Sequence, residues 1–332
     1  MTAPMLAAGP IDAHAHLVPA SVQAHLERPD LITVHDEGER VRLELRGRTL
    51  SFPRSLVDPA ALVAAARERE VGVSVASLPP FAFAYELEDD APRWSAAFND
   101  AFAEAQDASG GHLVGVATLP MRDVASATAE VRRAAGLGLR AVAIATHPDR
   151  WIDDPVLDPV WRAIADAGMA VLLHPHQVDG RYGEETHHLR NTVGNPLETS
   201  YAQARLVFSD WRRRHPTVRV ALSHGGGALT ALVGRWRHAA DHRDGVALSD
   251  PAWLRAFYYD TIVFDDDVLR ALVRLVGADR VLFGSDAPFD MADPRTAVNG
   301  LALLPEEDAA QVARSSALSW LFGPDAASPK GG

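Results

Sequence analysis

The chain has 332 residues, 47% of them hydrophobic and 23% charged, with a formal net charge of -12 and no cysteine. Disulfides, thiolate nucleophiles, iron–sulfur clusters and cysteine-bound zinc are excluded together, so any metal must sit on His, Asp or Glu. The only lysine is Lys330, close to the end of the sequence, which excludes a Schiff-base lysine, a phosphate-loop lysine and a carbamylated lysine bridging two metals inside a fold.

The acidic balance and the lack of a basic stripe argue against nucleic acid as a partner. No apolar run reaches the roughly 18 residues of a membrane span. The first ten residues lack the positive region and apolar core of a leader. The expectation is a cytoplasmic protein with neither a membrane nor a nucleic-acid partner. The length fits either two domains of about 150 residues or one α/β barrel of about 250 with insertions.

In chain order, β-like runs are expected near Gly9–Leu17, Val71–Leu78, Leu113–Leu119, Arg140–Thr146, Ala170–His174, Val218–Ser223, Phe257–Phe264 and Val281–Ser285. Most are continuous apolar runs, as in parallel strands buried on both faces. Amphipathic helices are expected near Asp58–Glu70, Arg93–Ala108, Asp123–Ala135, Pro159–Ala167, Leu197–Arg214, Ala228–His242, Asp265–Val276 and Pro305–Leu321. In the first of these Asp58 can cap and Pro59 suits the opening turn. Alternation of eight strands with eight helices predicts a (β/α)8 barrel. The stretch from about 19 to 53 departs from it and reads as a β-hairpin, Ile-Thr-Val-His and Val-Arg-Leu-Glu-Leu around Asp-Glu-Gly-Glu. The expectation is therefore one barrel domain over 1–325 with an insertion at 19–53 and a flexible tail over 326–332.

Catalytic groups of such barrels lie at the C-terminal strand ends, and four ends carry metal-type ligands. The first run closes on His14 and His16, two apart and so on one face of a strand. The fifth ends at His174-Pro175-His176, the sixth runs into His224 and three glycines, and the eighth reaches Asp286. Imidazoles with one carboxylate suit zinc, with manganese, cobalt and iron as alternatives. A lone histidine at a strand end is commonly a hydrogen-bonded core or surface residue. It is the coincidence at four strand ends that points to a metal.

These residues also carry a resemblance. The segments Asp-Ala-His-Ala-His-Leu-Val-Pro at 12–19, Thr-Leu-Pro-Met at 118–121, His-Pro-His at 174–176, Ser-His-Gly-Gly-Gly-Ala at 223–228 and Phe-Gly-Ser-Asp-Ala-Pro-Phe at 283–289 resemble the amidohydrolase superfamily, in particular its 2-amino-3-carboxymuconate-6-semialdehyde decarboxylase-like branch. The resemblance implies that His14, His16, His174 and Asp286 hold one divalent metal ion, zinc in first place and manganese in second, with His224 as general acid/base. It further implies metal-dependent, non-oxidative decarboxylation of a small unsaturated or aromatic carboxylic acid, with Asp286 able to pass a proton, in a homodimer. The absence of an internal lysine agrees with a single metal.

A small-molecule carboxylate substrate calls for cations. Arg235 matches the Gly-Arg position at which the branch uses an arginine across a dimer interface, and Arg54 lies near the position of the branch's substrate arginine. Phe81, Phe83 and Tyr85, after the second strand, are candidates for an apolar pocket wall, as is His176 for substrate contact. His147 reads more simply as a structural histidine, and Trp211-Arg-Arg-Arg-His215 as a polar helix end. The same ligand set would serve a hydrolase of a cyclic amide, lactone or ester, or a hydratase, and a barrel that has lost turnover would be a binding protein.

Overall fold

The computed structural model describes residues 6–176, 186–248, 252–293 and 297–327. Most of the expected tail thus lies outside the described residues.

The chain enters along strand β1 (Ile11–His16) and then forms an antiparallel three-stranded sheet, β2 (Ile32–Asp36), β3 (Arg40–Leu45) and β4 (Arg48–Pro53). Seven further strands follow, separated by helices: β5 (Val73–Ser77), β6 (Leu113–Thr118), β7 (Ala141–Ala145), β8 (Ala170–His174), β9 (Arg219–Leu222), β10 (Tyr258–Asp260) and β11 (Val281–Leu282). They pair in parallel in the order β1-β5-β6-β7-β8-β9-β10-β11. The seam between first and last is joined by Ala13 N to Phe283 O at 2.8 Å, Asp286 N to His14 O at 2.9 Å and His16 N to Ala287 O at 2.7 Å. This is the expected (β/α)8 barrel, and its inner strands are buried throughout, as their unbroken apolar runs require.

Helix starts follow local chemistry. Asp58 accepts from the amides of Ala60 and Ala61, and Asp265 from those of Asp267 and Val268, satisfying donors that the first helical turn leaves open. The ring of helices seals the barrel with large side chains, among them the fully buried Trp94, Trp161, Trp211 and Trp320.

The expected hairpin is present as β2 and β3, and Arg48–Pro53 extends it by a third strand through the turn at Arg46-Gly47, where φ is 50° and 76°. Positive φ at both central residues is the two-residue turn that matches strand twist, but polar Arg-Thr-Leu-Ser-Phe-Pro does not announce a strand. The expected helix Leu197–Arg214 is two, Asn195–Phe208 and Trp211–Arg214, broken at Ser209, which is extended. Trp211 and His215 are buried there, with His215 Nε2 2.9 Å from Asp158 Oδ1. Only the arginines of that segment form a polar end. The last two barrel strands are shorter than expected, since the chain turns at Asp260 and again after Leu282.

Trp320, on the helix Ser316–Phe322, is fully buried and its Nε1 donates to Val171 O at 3.3 Å. Replacing it with alanine is expected to cost about 3–5 kcal/mol, read as a shift in the urea unfolding midpoint.

Candidate metal centre

At the C-terminal end of the barrel four side chains from three strand ends converge. A ligand atom from each of His14, His16, His174 and Asp286 lies within 4.8 Å of all the others. His14 Nε2 is 3.2 Å from His16 Nε2, and Asp286 Oδ1 is 2.9 Å from His16 Nε2 and 3.7 Å from His14 Nε2. The three imidazoles are buried.

The other ring nitrogens are held from behind. His14 Nδ1 lies 2.7 Å from Asp260 Oδ2, His174 Nδ1 donates to Pro175 O at 2.7 Å, and Ser77 Oγ lies 3.3 Å from His16 Nδ1. His174 Nε2 is left buried without a partner among the described residues. Such an orphan costs about 1–3 kcal/mol, and a cation relieves it. Three imidazoles and a carboxylate at this spacing fit one divalent metal of the zinc or manganese type.

Charge couples the group. Burial opposes ionisation of His14, but the hydrogen bond and charge of Asp260, with the charges of Asp286 and Asp12, lift its pKa above the ordinary value. Burial and the nearby His14, His16 and His224 push His174 well below it. Burial works against the Asp286 carboxylate as well, yet the bond to His16 and the charges of the histidines hold it far down. It is an anion near neutral pH.

His224 stands beside the four, its ring centroid 5.2 Å from that of His174 and 5.9 Å from that of His14. Its pKa is lowered, chiefly by burial, so the imidazole is neutral near pH 7. It sits at the start of a turn in which His224 has φ 56° and the next three glycines are also positive. The turn must be glycine-rich for space as well. A Cβ on Gly227 would lie 2.0 Å from Pro196 O, and one on Gly225 2.4 Å from Val263 Cγ1.

A cavity of about 940 Å³ opens over these side chains, with His174, His176, His224 and Asp286 in its floor and wall. Phe52 from β4 stacks on Phe81 with centroids 5.2 Å apart, and Phe289 meets the ring of His16 at 5.1 Å. Ile262, Phe264 and Met291 extend the apolar side, and Arg46, Arg48, Glu86, His147 and Arg190 line the polar one. Arg46 donates to the carbonyls of Phe81 and Phe83 and so ties the insertion to the cavity wall. Arg48 is exposed and has no acidic partner among the described residues.

Of the residues singled out from sequence, the structure thus brings together His14, His16, His174, His224 and Asp286, with Phe81 and His176 on the cavity. Phe83 is buried behind the wall, 5.6 Å from the ring of His176. Arg54 does not line the cavity. Its guanidinium is taken up by Asp36 at 2.9 Å and Asp58 at 3.2 Å, an arrangement in which the acid of the helix cap claims the cation. Arg235 is exposed on the helix Leu229–His242, outside the lining of its own chain's cavity. His147 does line it.

Sequence reading missed Asp260, Arg46, Arg48, Phe52 and Phe289. Asp260 was legible in principle, as an aspartate at a strand end, but the apolar run Phe257–Phe264 carries the expected end four residues too far. Arg48 and Phe52 have no signal, since their place on the cavity depends on how the insertion folds back.

A parallel barrel with convergent imidazoles and a carboxylate at its C-terminal mouth defines a metal-site barrel protein. The chain belongs to the amidohydrolase family, whose sequence profile matches residues 11–321. It is 30% identical over 244 residues to a 2-amino-3-carboxymuconate-6-semialdehyde decarboxylase of Dictyostelium discoideum, covering 71% of this chain and 68% of the relative. Among solved structures it superposes on 5-carboxyvanillate decarboxylase from Sphingomonas paucimobilis with a TM-score of 0.74 at 24% identity, over 95% of this chain and 98% of the other. A dihydroxybenzoic acid decarboxylase from Polaromonas sp. JS666, with bound manganese and the inhibitor 2-nitroresorcinol, superposes with a TM-score of 0.73 at 20% identity, over 96% and 97%.

Gly227→Ala is expected to destabilise the protein by at least about 2 kcal/mol, since it combines a left-handed alanine with a clash against backbone. Chemical denaturation measures it.

Proposed function

We propose that the chain is a metal-dependent, non-oxidative decarboxylase of a small unsaturated or aromatic carboxylic acid. The observation that carries this reading is the juxtaposition of the four-residue cluster and the neutral His224 with a cavity lined by Arg48, which has no acidic partner among the described residues, and by Phe52, Phe81 and Phe289. The relatives named above, decarboxylases of unsaturated and aromatic acids, support it.

In this reading His14, His16, His174 and Asp286 hold one divalent ion. Zinc is favoured by three imidazoles and one carboxylate, and manganese is the alternative that the Polaromonas decarboxylase exemplifies. The ion supplies Lewis acidity to the centre. Arg48 binds a substrate carboxylate by charge-assisted hydrogen bonds, and Phe52, Phe81 and Phe289 seat the flat apolar body of the substrate and exclude water. His176 and His147 face the same space and contribute polar contacts.

His224, neutral near pH 7, takes a proton and delivers it to the carbon that bears the carboxylate. That carbon becomes tetrahedral, the bond to the carboxyl carbon breaks, and its electron pair returns to the substrate skeleton as CO2 leaves. One proton is consumed for each CO2 released. The anionic Asp286 serves as a ligand and can accept and pass a proton. We further read residues 1–325 as one domain and the assembly as a homodimer in which the exposed Arg235 reaches toward the partner's cavity. Sedimentation velocity tests the dimer.

Metal analysis is expected to find one divalent ion per chain, and none retained by Asp286→Ala. His224→Ala is expected to keep the ion and to lose about 10²–10⁴-fold in turnover, measured as CO2 release from a panel of aromatic and unsaturated acids. Ring opening of lactones or cyclic amides without CO2 release would instead establish the hydrolase reading. Arg48→Ala is expected to raise KM about 10–100-fold with a smaller change in kcat, as for the loss of one charged hydrogen bond worth about 1.5–3 kcal/mol.

A further inference from the structure

Asp260 ends β10, is buried, and lies outside the ligand cluster. Its carboxylate nevertheless carries four hydrogen bonds. Oδ2 accepts from His14 Nδ1 at 2.7 Å and from His224 N at 3.0 Å, while Oδ1 accepts from Gly225 N at 2.8 Å and from Ile262 N at 3.1 Å. Three of these donors are backbone amides, which can only donate. The fourth is an imidazole nitrogen, whose role depends on the tautomer.

We propose that Asp260 is the positioning residue of the centre. Its carboxylate holds His14 as the Nδ1–H tautomer, so that Nε2 turns its lone pair toward the other three ligand atoms, and the same group anchors the turn that presents His224. The inference rests on the reading of the four side chains as a metal centre. A ligand histidine needs its far nitrogen fixed by an acceptor to present a lone pair in one direction. The turn needs an anchor for a separate reason, since His224 at φ 56° is held in a conformation that costs a non-glycine residue about 1–2 kcal/mol. One carboxylate meets both needs and makes the ligand and the proton-transfer histidine depend on each other.

The four-donor pattern sets how the isosteric amide behaves. In Asp260→Asn the new NH2 must face either Gly225 N and Ile262 N, neither of which can accept, or His224 N together with the one group that can, His14 Nδ1. The second orientation is the less costly. It forces His14 into the Nε2–H tautomer, in which the nitrogen facing the cluster no longer has a lone pair.

The test uses full-length protein with ¹⁵N-labelled histidine and zinc as the probe metal. In metal-free wild-type protein, at a pH high enough to leave His14 neutral despite its raised pKa, long-range ¹H–¹⁵N spectra are expected to show it as the Nδ1–H tautomer. Nε2–H there would overturn the proposal without recourse to any variant. In Asp260→Asn the tautomer is expected to switch and zinc to bind about 10–100-fold more weakly, by chelator competition. A folded variant that binds zinc within about threefold of wild type, well short of the loss expected for such a partner, would also overturn it. Turnover of the zinc-saturated variant is expected to fall through kcat rather than KM, because His224 is displaced. If wild-type protein shows the expected tautomer and affinity but releases no CO2 from any acid, the decarboxylase reading fails and the role of Asp260 stands. Should CO2 release be intact with His14 in the other tautomer, the reverse holds.

Discussion

The centre depends on how the barrel closes. His14 and His16 stand on the first strand, Asp286 follows the last, and the two meet only because the seam joins them. The joint is dense. Besides the backbone bonds across it, the buried Asp12 accepts from Ser285 N at Oδ1 (3.0 Å) and from Ser285 Oγ at Oδ2 (2.5 Å), and Arg69 reaches the same Oδ2 at 3.4 Å. Ligands some 270 residues apart in the chain are thus fixed by the same hydrogen bonds that complete the sheet, and a loosened seam would open the donor set along with the fold.

The site also concentrates backbone strain. Two of its functional side chains, His224 and Asp286, sit on non-glycine residues with φ of 56° and 63°. A left-handed residue redirects the chain sharply after a strand, so its side chain points across the barrel mouth instead of along the strand. The surrounding hydrogen bonds over-determine both positions. Asp286 N is held by His14 O and His224 N by Asp260, which stabilises conformations that an isolated chain would leave.

The barrel, its strand order and the four clustered side chains were legible because each rests on a short-range pattern. Parallel strands buried on both faces leave apolar runs, and His-x-His, His-Pro-His, His-Gly-Gly-Gly and Ser-Asp mark where those runs stop. The supporting groups were harder to read. Ser77 and Asp12 look like ordinary polar residues within strands, and Asp260 is hidden by the apolar residues that follow it. Cations lining the cavity were least accessible to sequence reasoning. Arg54 and Arg48 lie six residues apart in one polar stretch, and only the pairing of β3 with β4 and the acid caps nearby decide that the first is consumed by Asp36 and Asp58 while the second reaches the cavity.

The insertion gives the molecule a division of labour. All four ligands and His224 are borne by barrel strand ends, whereas Arg46, Arg48 and Phe52 come from a small sheet outside the barrel's hydrogen-bond network. Changes in that sheet can reshape the cavity rim without touching the seam, the donor set or His224. Substrate range and reaction chemistry are therefore separable targets for natural selection and for protein engineering: one stretch of about twenty residues can be exchanged or randomised while the catalytic apparatus is inherited unchanged.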